Sequence, residues 1–312
     1  MPTTNFPNGV SSFGVPVLPT LGGAPLTNGT IFVDTVNGVD AGTGNGPTNP
    51  YQTLTYAISQ AAANSTIYVM PGSAISVSSA TALVVATAGV QIIGLGNENA
   101  RPTITLNTAN TATIAINAAN IRIQNFIIIA NFLSIAAAFT LTTAKGFTLV
   151  GNEFRETSAV LNFLNIVKST GAANTVDDLF VQGNVWNGLG TTSVNSFILT
   201  ANDINNAQVS NNTVILARTA DASILMTVTA GVLTNFQCGG NIAVSKQTAT
   251  TAGSLINVTG TTSTGVVYNN YAGTLTTTGD LIYTGTVGLY AFNNYVTGVL
   301  ASSGWLRPVA DS

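Results

Sequence analysis

Apolar residues in this chain come in short steps, each closed by Gly-Asn or Asn-Asn and followed by another short apolar step. The pattern is heard first in "IIGLGNEN" (92–99). It returns in "TLVGNEF" (148–154), "FVQGNVW" (180–186), "QVSNNTV" (208–214), "FQCGGNIAV" (236–244), "VVYNNYA" (266–272) and "YAFNNYV" (290–296). Aligning the Asn of each step gives Asn125, Asn152, Asn184, Asn212, Asn241, Asn270 and Asn294, at intervals of 27, 32, 28, 29, 29 and 24 residues. Between them lies a second apolar motif: "TIAIN" (113–117), "FLNIV" (163–167), "FILTA" (197–201), "ILMTV" (224–228), "LINVT" (255–259) and "LIYTG" (281–285). Each unit therefore holds about three short strands, and a fixed period of this size predicts a solenoid.

Helical repeats would show a 3.6-residue periodicity, and leucine-rich repeats a fixed leucine spacing; neither is present. Propeller blades need about 40 residues and four strands. Runs rich in Val, Ile, Phe, Thr and Tyr, punctuated by Gly and Asn, fit strands joined by turns. The expected fold is all-β: a single-stranded, right-handed parallel β-helix of about 24–32 residues per coil, with an N-terminal capping helix and an extended arm. Coils stacked at about 4.8 Å pair their backbones with the coils above and below. Asn tolerates a left-handed turn, stacked Asn amides can bond along the axis, and Gly ahead of Asn relieves crowding. The seven aligned Asn residues are thus expected to form a structural corner ladder.

Four segments follow. Residues 1–29, rich in Pro and Gly, lack periodicity but carry Phe6, Phe13, Val15, Val17 and Leu18, more apolar surface than a free linker needs. They are predicted to be a docking arm. Residues 30–73 read as a cap: strand "TIFV", a Gly/Asn loop, a helix with Leu54, Ala57, Ile58 and Ala61 on one face, and a first rung "TIYVM" ended by Pro71-Gly72. Residues 74–305 are the β-helix and 306–312 a tail.

The stretch "IFVDTVNGVDAGTG…NPYQTLTYAI…STIYVMPG" resembles the opening cap of right-handed parallel β-helices of the pectate-lyase-like superfamily, in the style of bacteriophage virion and tailspike proteins. The resemblance covers 30–73 in motif and 30–305 in architecture. It implies the fold. Function is left open by it, because that superfamily includes lyases, hydrolases, tailspikes and non-catalytic particle proteins.

Composition narrows the chemistry. Charged residues are 6% of the 312 and the net charge is −3. No basic run is present, so nucleic acid is not an expected partner. There is no histidine, and Cys238 is the sole cysteine, so the commonest general base, a disulfide and a Cys-based metal cage are all lacking. Cys238 reads as a small buried residue. The start resembles no signal peptide, and no apolar run has the length of a membrane span, "NFIIIANFLSIAAAF" (125–139) being too short.

A glycosidase needs two carboxylates about 5–10 Å apart. The candidates are Glu153, Glu156, Asp177, Asp178, Asp203, Asp221 and Asp280, with Asp177 or Asp178 and Asp203 expected on one edge a coil apart. They lack His and basic companions, and no acidic calcium cluster is visible, so no catalytic, cofactor or metal residues are expected. Tyr268, Tyr271, Tyr283, Tyr290, Phe292, Tyr295 and Trp305 crowd the last coils. Tyr268 and Phe292 are read as shaft residues, while Trp186, Tyr271 and Tyr295 are candidate surface or glycan contacts. Low charge, a mean hydropathy of +0.40 and the apolar arm point to a particle component. The expectation is a non-enzymatic, homotrimeric virion protein, assembled in the host cytoplasm. Its partner would be the major capsid protein or another virion component, with a host surface glycan as the alternative.

Overall fold

Every short apolar step becomes a strand, and each strand pairs in parallel with the equivalent step one coil on. The computed structural model describes residues 29–190, 196–217, 223–245, 254–258, 262–273, 281–284 and 288–297, with short pairings at 11–12, 15–16 and 307–308. The chain winds as a right-handed parallel β-helix with three long sheets. The first sheet has ten strands, from Thr30–Val33 to Gly288–Phe292. The second runs from Ala74–Val77 to Tyr295–Thr297 and ends on Arg307–Pro308, which pairs antiparallel. The third has eight strands, from Leu83–Val85 to Leu281–Thr284. The second apolar motif of the sequence is this third sheet. One of its strands, Phe139–Leu141, was hidden inside a long apolar stretch.

The corner between the first and second sheets explains the paired motif. Its first residue takes the left-handed conformation: Asn125 (φ 65°), Gly151 (64°), Gly183 (65°), Asn211 (55°), Gly240 (68°), Asn269 (54°) and Asn293 (52°). The next residue is buried, and these are Asn152, Asn184, Asn212, Asn241, Asn270 and Asn294. The two duties expected of one Asn are therefore split between neighbours. Asn125 is corrected accordingly: Gln124 pairs with Val150, so Asn125 matches Gly151 and lies outside the ladder. Its side chain instead donates to Gly94 O (2.8 Å) and Gly96 O (3.0 Å).

The ladder sets which side chains enter the shaft. Three residues before each ladder Asn the side chain points in, as in Leu149, Val181, Val209, Cys238, Val267 and the half-buried Ala291. Two residues after it the side chain again points in, as in Phe154, Trp186, Val214, Ala243 and Ala272. Residues two before and one after face outward. The middle coils are filled by aromatics: Phe139 tilted against Phe147 and edge-on to Phe154, then Phe154 edge-on to Phe163 and Phe197, at centroid distances of 5.7–6.4 Å. Each such buried ring stabilises the shaft by roughly 1.5–3 kcal/mol.

The cap forms as the sequence predicts, with the helix at Leu54–Gln60. Thr53 Oγ1 accepts from Tyr56 N, and Leu54, Ala57 and Ile58 cover the open top of the shaft. Asp40 fixes the entry, accepting from Gln52 N and Thr53 N at 2.9 Å each and from Thr53 Oγ1 at 2.8 Å. The Gly/Asn loop then folds back so that Tyr51 bridges Val33 and covers the first edge strand. Gly44 (φ +63°) permits this, because a Cβ there would meet the Tyr51 ring at 2.2 Å. An unpaired edge is blunted.

Candidate functional site

Glu156 ends the strand Glu153–Glu156 on an inward-facing position, which puts a carboxylate at the wall of an apolar shaft. Its oxygens are fully engaged. Oε1 accepts from Phe163 N and Trp186 Nε1, both at 3.1 Å; Oε2 accepts from Leu189 N (2.6 Å) and Gly190 N (3.0 Å). Burial pushes its carboxyl above the ordinary range, although these four donors pull the other way. The group joins three segments of chain. A proton-transfer role would break those contacts.

Glu153, three residues earlier, faces outward. It pairs with Arg101 and with Arg155 (2.5 Å), and Arg155 also donates to Asn99 Oδ1 at 3.0 Å. The Arg155 hydrogen bond, then the charges of both guanidiniums, hold Glu153 below the usual carboxylate range. A depression of ≈ 250 Å³ opens beside it, lined by Glu153, Arg155, Glu156, Val185, Asn187 and Leu189. The sequence offered both glutamates as candidates, but gave no sign that one serves the shaft and the other the surface.

The aspartates do share an edge, as expected, and each is tied to the next coil. Asp177, 8% exposed, accepts from Asn205 N at 2.8 Å. Asp178 occupies a left-handed corner (φ 58°), accepts from Asn206 Nδ2 at 3.0 Å and lies 3.7 Å from Lys145 Nζ. Asp203 accepts from Val232 N at 2.8 Å. They act as coil-to-coil fasteners. Asp221 and Asp280 lie outside the described residues. Among the described residues, no three His, Cys, Asp or Glu side chains gather as metal ligands.

The Asn ladder is a hydrogen-bonded column. The backbone N–H of Asn152 donates to Asn184 Oδ1 (3.0 Å), that of Asn184 to Asn212 (3.0 Å), and so on to Asn294; each Nδ2 donates to the same oxygen at 2.9–3.2 Å. Each Nδ2 also reaches a strand carbonyl of the preceding coil, as Asn212 does to Val181 O at 3.0 Å. Phe126 occupies the ladder position before Asn152, and its N–H starts the column by donating to Asn152 Oδ1. Cys238 lies beside this column, fully buried, and burial pushes its thiol far up, so it is a packing residue as the sequence predicts.

The aromatics divide differently from expectation. Trp186 is 1% exposed, which removes it from the surface contacts; it sits two residues past Asn184, where side chains enter the shaft. Tyr268 and Phe292 are the reverse. Both stand two residues before a ladder Asn, so they face outward, and they stack at 5.5 Å and 10°. Phe292 is 46% exposed. Tyr271 is half-buried and Tyr295 exposed, both on the outward position just past the ladder. Phe6, Phe13, Val17, Leu18 and Trp305 lie outside the described residues, as do the side chains of Val15 and Tyr283; the backbone of Val15–Pro16 pairs antiparallel with Ser11–Ser12.

With the geometry in hand, comparison with known proteins gives few matches. No protein-family model and no curated protein matches this chain. Among solved structures, a rhamnogalacturonan lyase is similar at 12% identity over 79% of this chain and 81% of its own, with a TM-score of 0.38. A GH136 lacto-N-biosidase from Eubacterium ramulus is similar at 11% identity over 86% of this chain and 68% of its own, with a TM-score of 0.24.

Proposed function

We propose that this chain is a non-enzymatic structural protein of a bacteriophage particle, a trimeric capsid-decoration or head-fibre component that docks on the capsid through residues 1–29. The observation that carries the non-enzymatic part is the use of its carboxylates. Glu156 binds four N–H groups, Asp177 and Asp203 clasp the next coil, and Glu153 is held between two arginines. A general acid and base would need side chains free to exchange protons with substrate. The particle assignment is supported by the cap motif of 30–73, by a nearly uncharged surface and by the apolar residues of the arm.

A tailspike-like protein that binds or cleaves host polysaccharide is the second reading. It is favoured by the depression beside Glu153, where polar Arg155 and Asn187 stand next to apolar Val185 and Leu189. One pair of experiments separates them. Binding to purified capsids that disappears on deleting 1–29 supports decoration. Degradation of a surface polysaccharide that is lost in Glu153→Gln or Asp203→Ala overturns the structural reading.

A further inference from the structure

An asparagine followed by glycine is open to attack on its side-chain amide by the next backbone nitrogen, because glycine has no Cβ to hinder the approach. The chain has five such steps, at Asn8, Asn28, Asn37, Asn45 and Asn187. Asn8 and Asn28 lie outside the described residues. The other three asparagines are all exposed, and the glycine after each tells them apart. Gly38 is buried, its N–H donates to Asp34 O at 2.9 Å, and Asn37 Nδ2 is held by Asp34 Oδ2 at 3.0 Å. Gly188 is buried just past the strand Val185–Asn187, and its N–H donates to Ile215 O at 2.7 Å. Gly46 is half-buried in the cap loop, and its N–H has no hydrogen-bond partner among the described residues. Beside it, Thr43 Oγ1 donates at 2.7 Å to Asn45 Oδ1, the oxygen on which charge develops during such an attack.

We propose that Asn45 is a site of spontaneous modification, converted to aspartate and isoaspartate through a ring closed with Gly46. The Gly46 nitrogen loses its proton and bonds to Asn45 Cγ, and the side-chain nitrogen leaves as ammonia. Water then opens the succinimide at either carbonyl, breaking one C–N bond and leaving a carboxylate. Opening at the main-chain carbonyl gives isoaspartate, which lengthens the backbone by one carbon and adds a negative charge. The loop has little room for that extra length. One residue earlier, Gly44 seats the Tyr51 ring, and its carbonyl accepts from Phe32 N at 2.8 Å in the first edge strand, Thr30–Val33. Modification at Asn45 therefore loosens the cover over that edge, and an uncovered edge is free to pair with other chains.

The test incubates the full-length chain in warm, mildly alkaline buffer, digests samples over time and measures deamidation of each peptide by mass spectrometry. In the folded protein Asn45 converts several-fold faster than Asn37 and Asn187, whereas in urea the three rates converge. Gly46→Ala, where a Cβ meets nothing nearer than Thr48 Oγ1 at 4.0 Å, keeps the fold by circular dichroism and slows conversion several-fold. Hydrogen exchange at the Phe32 amide speeds up in step with isoaspartate content. Equal native rates at the three sites, or Asn37 or Asn187 reacting first, overturn the assignment. A wild-type rate in Gly46→Ala overturns the ring mechanism. Unchanged Phe32 exchange in fully converted protein overturns the loosening of the edge.

Discussion

Trp186 donates its indole N–H to Glu156 Oε1 across 3.1 Å, from one coil to the next, inside the shaft. A buried carboxylate is costly unless its lone pairs are filled, and removing one partner leaves the rest exposed to that cost. Trp186→Phe keeps the ring and loses the donor, and should lower stability by about 1–2 kcal/mol. Glu156→Ala orphans the N–H groups of Phe163, Leu189 and Gly190 as well, and should cost about 3–5 kcal/mol. Urea denaturation, with the midpoint compared at constant slope, checks both. Wild-type stability in Glu156→Ala would remove the anchoring role.

The two glutamates of this strand should respond to pH with opposite signs. Glu156 has its carboxyl raised above the ordinary 4.5, so its favourable contribution is full below 4.5 and is lost as pH rises through the raised value. Glu153 has its carboxyl lowered, so its contribution is present above 4.5 and is lost as pH falls through the depressed value. Melting temperatures from pH 3 to 8 should show the gap between wild type and Glu153→Gln widening with pH. The gap to Glu156→Gln should move the other way. Parallel curves for both variants would contradict this.

The ladder and the corner beside it should differ in their tolerance of substitution. Asn212→Ala removes the acceptor for Asn184 N and Nδ2, and leaves Val181 O and Asn241 Oδ1 short of donors. A loss of about 3 kcal/mol or more is expected. Asn125→Gly suits its left-handed backbone and gives up only two surface-side bonds, so the change should stay near 1 kcal/mol. Equal losses would show that the ladder carries no special weight.

Glycines at one corner are not equivalent. A Cβ at Gly183 meets nothing within 4 Å, whereas one at Gly240 would lie 2.4 Å from Asn211 Oδ1 in the preceding coil. Gly183→Asn should therefore change the melting midpoint little. Gly240→Asn should lower it by several degrees, and adding Asn211→Gly should restore most of the loss. A failed rescue would mean that the clash lies elsewhere.

Much of this fold could be read in the sequence, because a coil that stacks on itself must repeat its signals. The period, the three strands, the corner and the capping helix follow from "GN" and "NN" spacing and from Leu54, Ala57 and Ile58. What could not be read is parity near the bend. A left-handed residue reverses the in-and-out alternation, so Phe292 reads as core and Trp186 as surface, yet it is Trp186 that enters the shaft. Counting from the ladder Asn, once it is known, sorts them. Asn125 misled for the same reason: an Asn suits either of the two adjacent positions, and only the pairing of Gln124 with Val150 distinguishes them. The anchoring role of Glu156 gave no signal, since its four donors come from Phe163 and from the distant segment 186–190.

The amide column also has a direction, for each rung's side-chain oxygen accepts from the rung before it, while its own amide donates to the rung that follows and to a backbone carbonyl of the coil behind. At the ladder, any winding can thus be exchanged for another without changing the amide its neighbours meet. Excising 213–241 would set Asn212 against Asn270 on the terms it now has with Asn241. The protein's height is then an adjustable quantity, open to lengthening or shortening by whole turns while its two ends stay as they are.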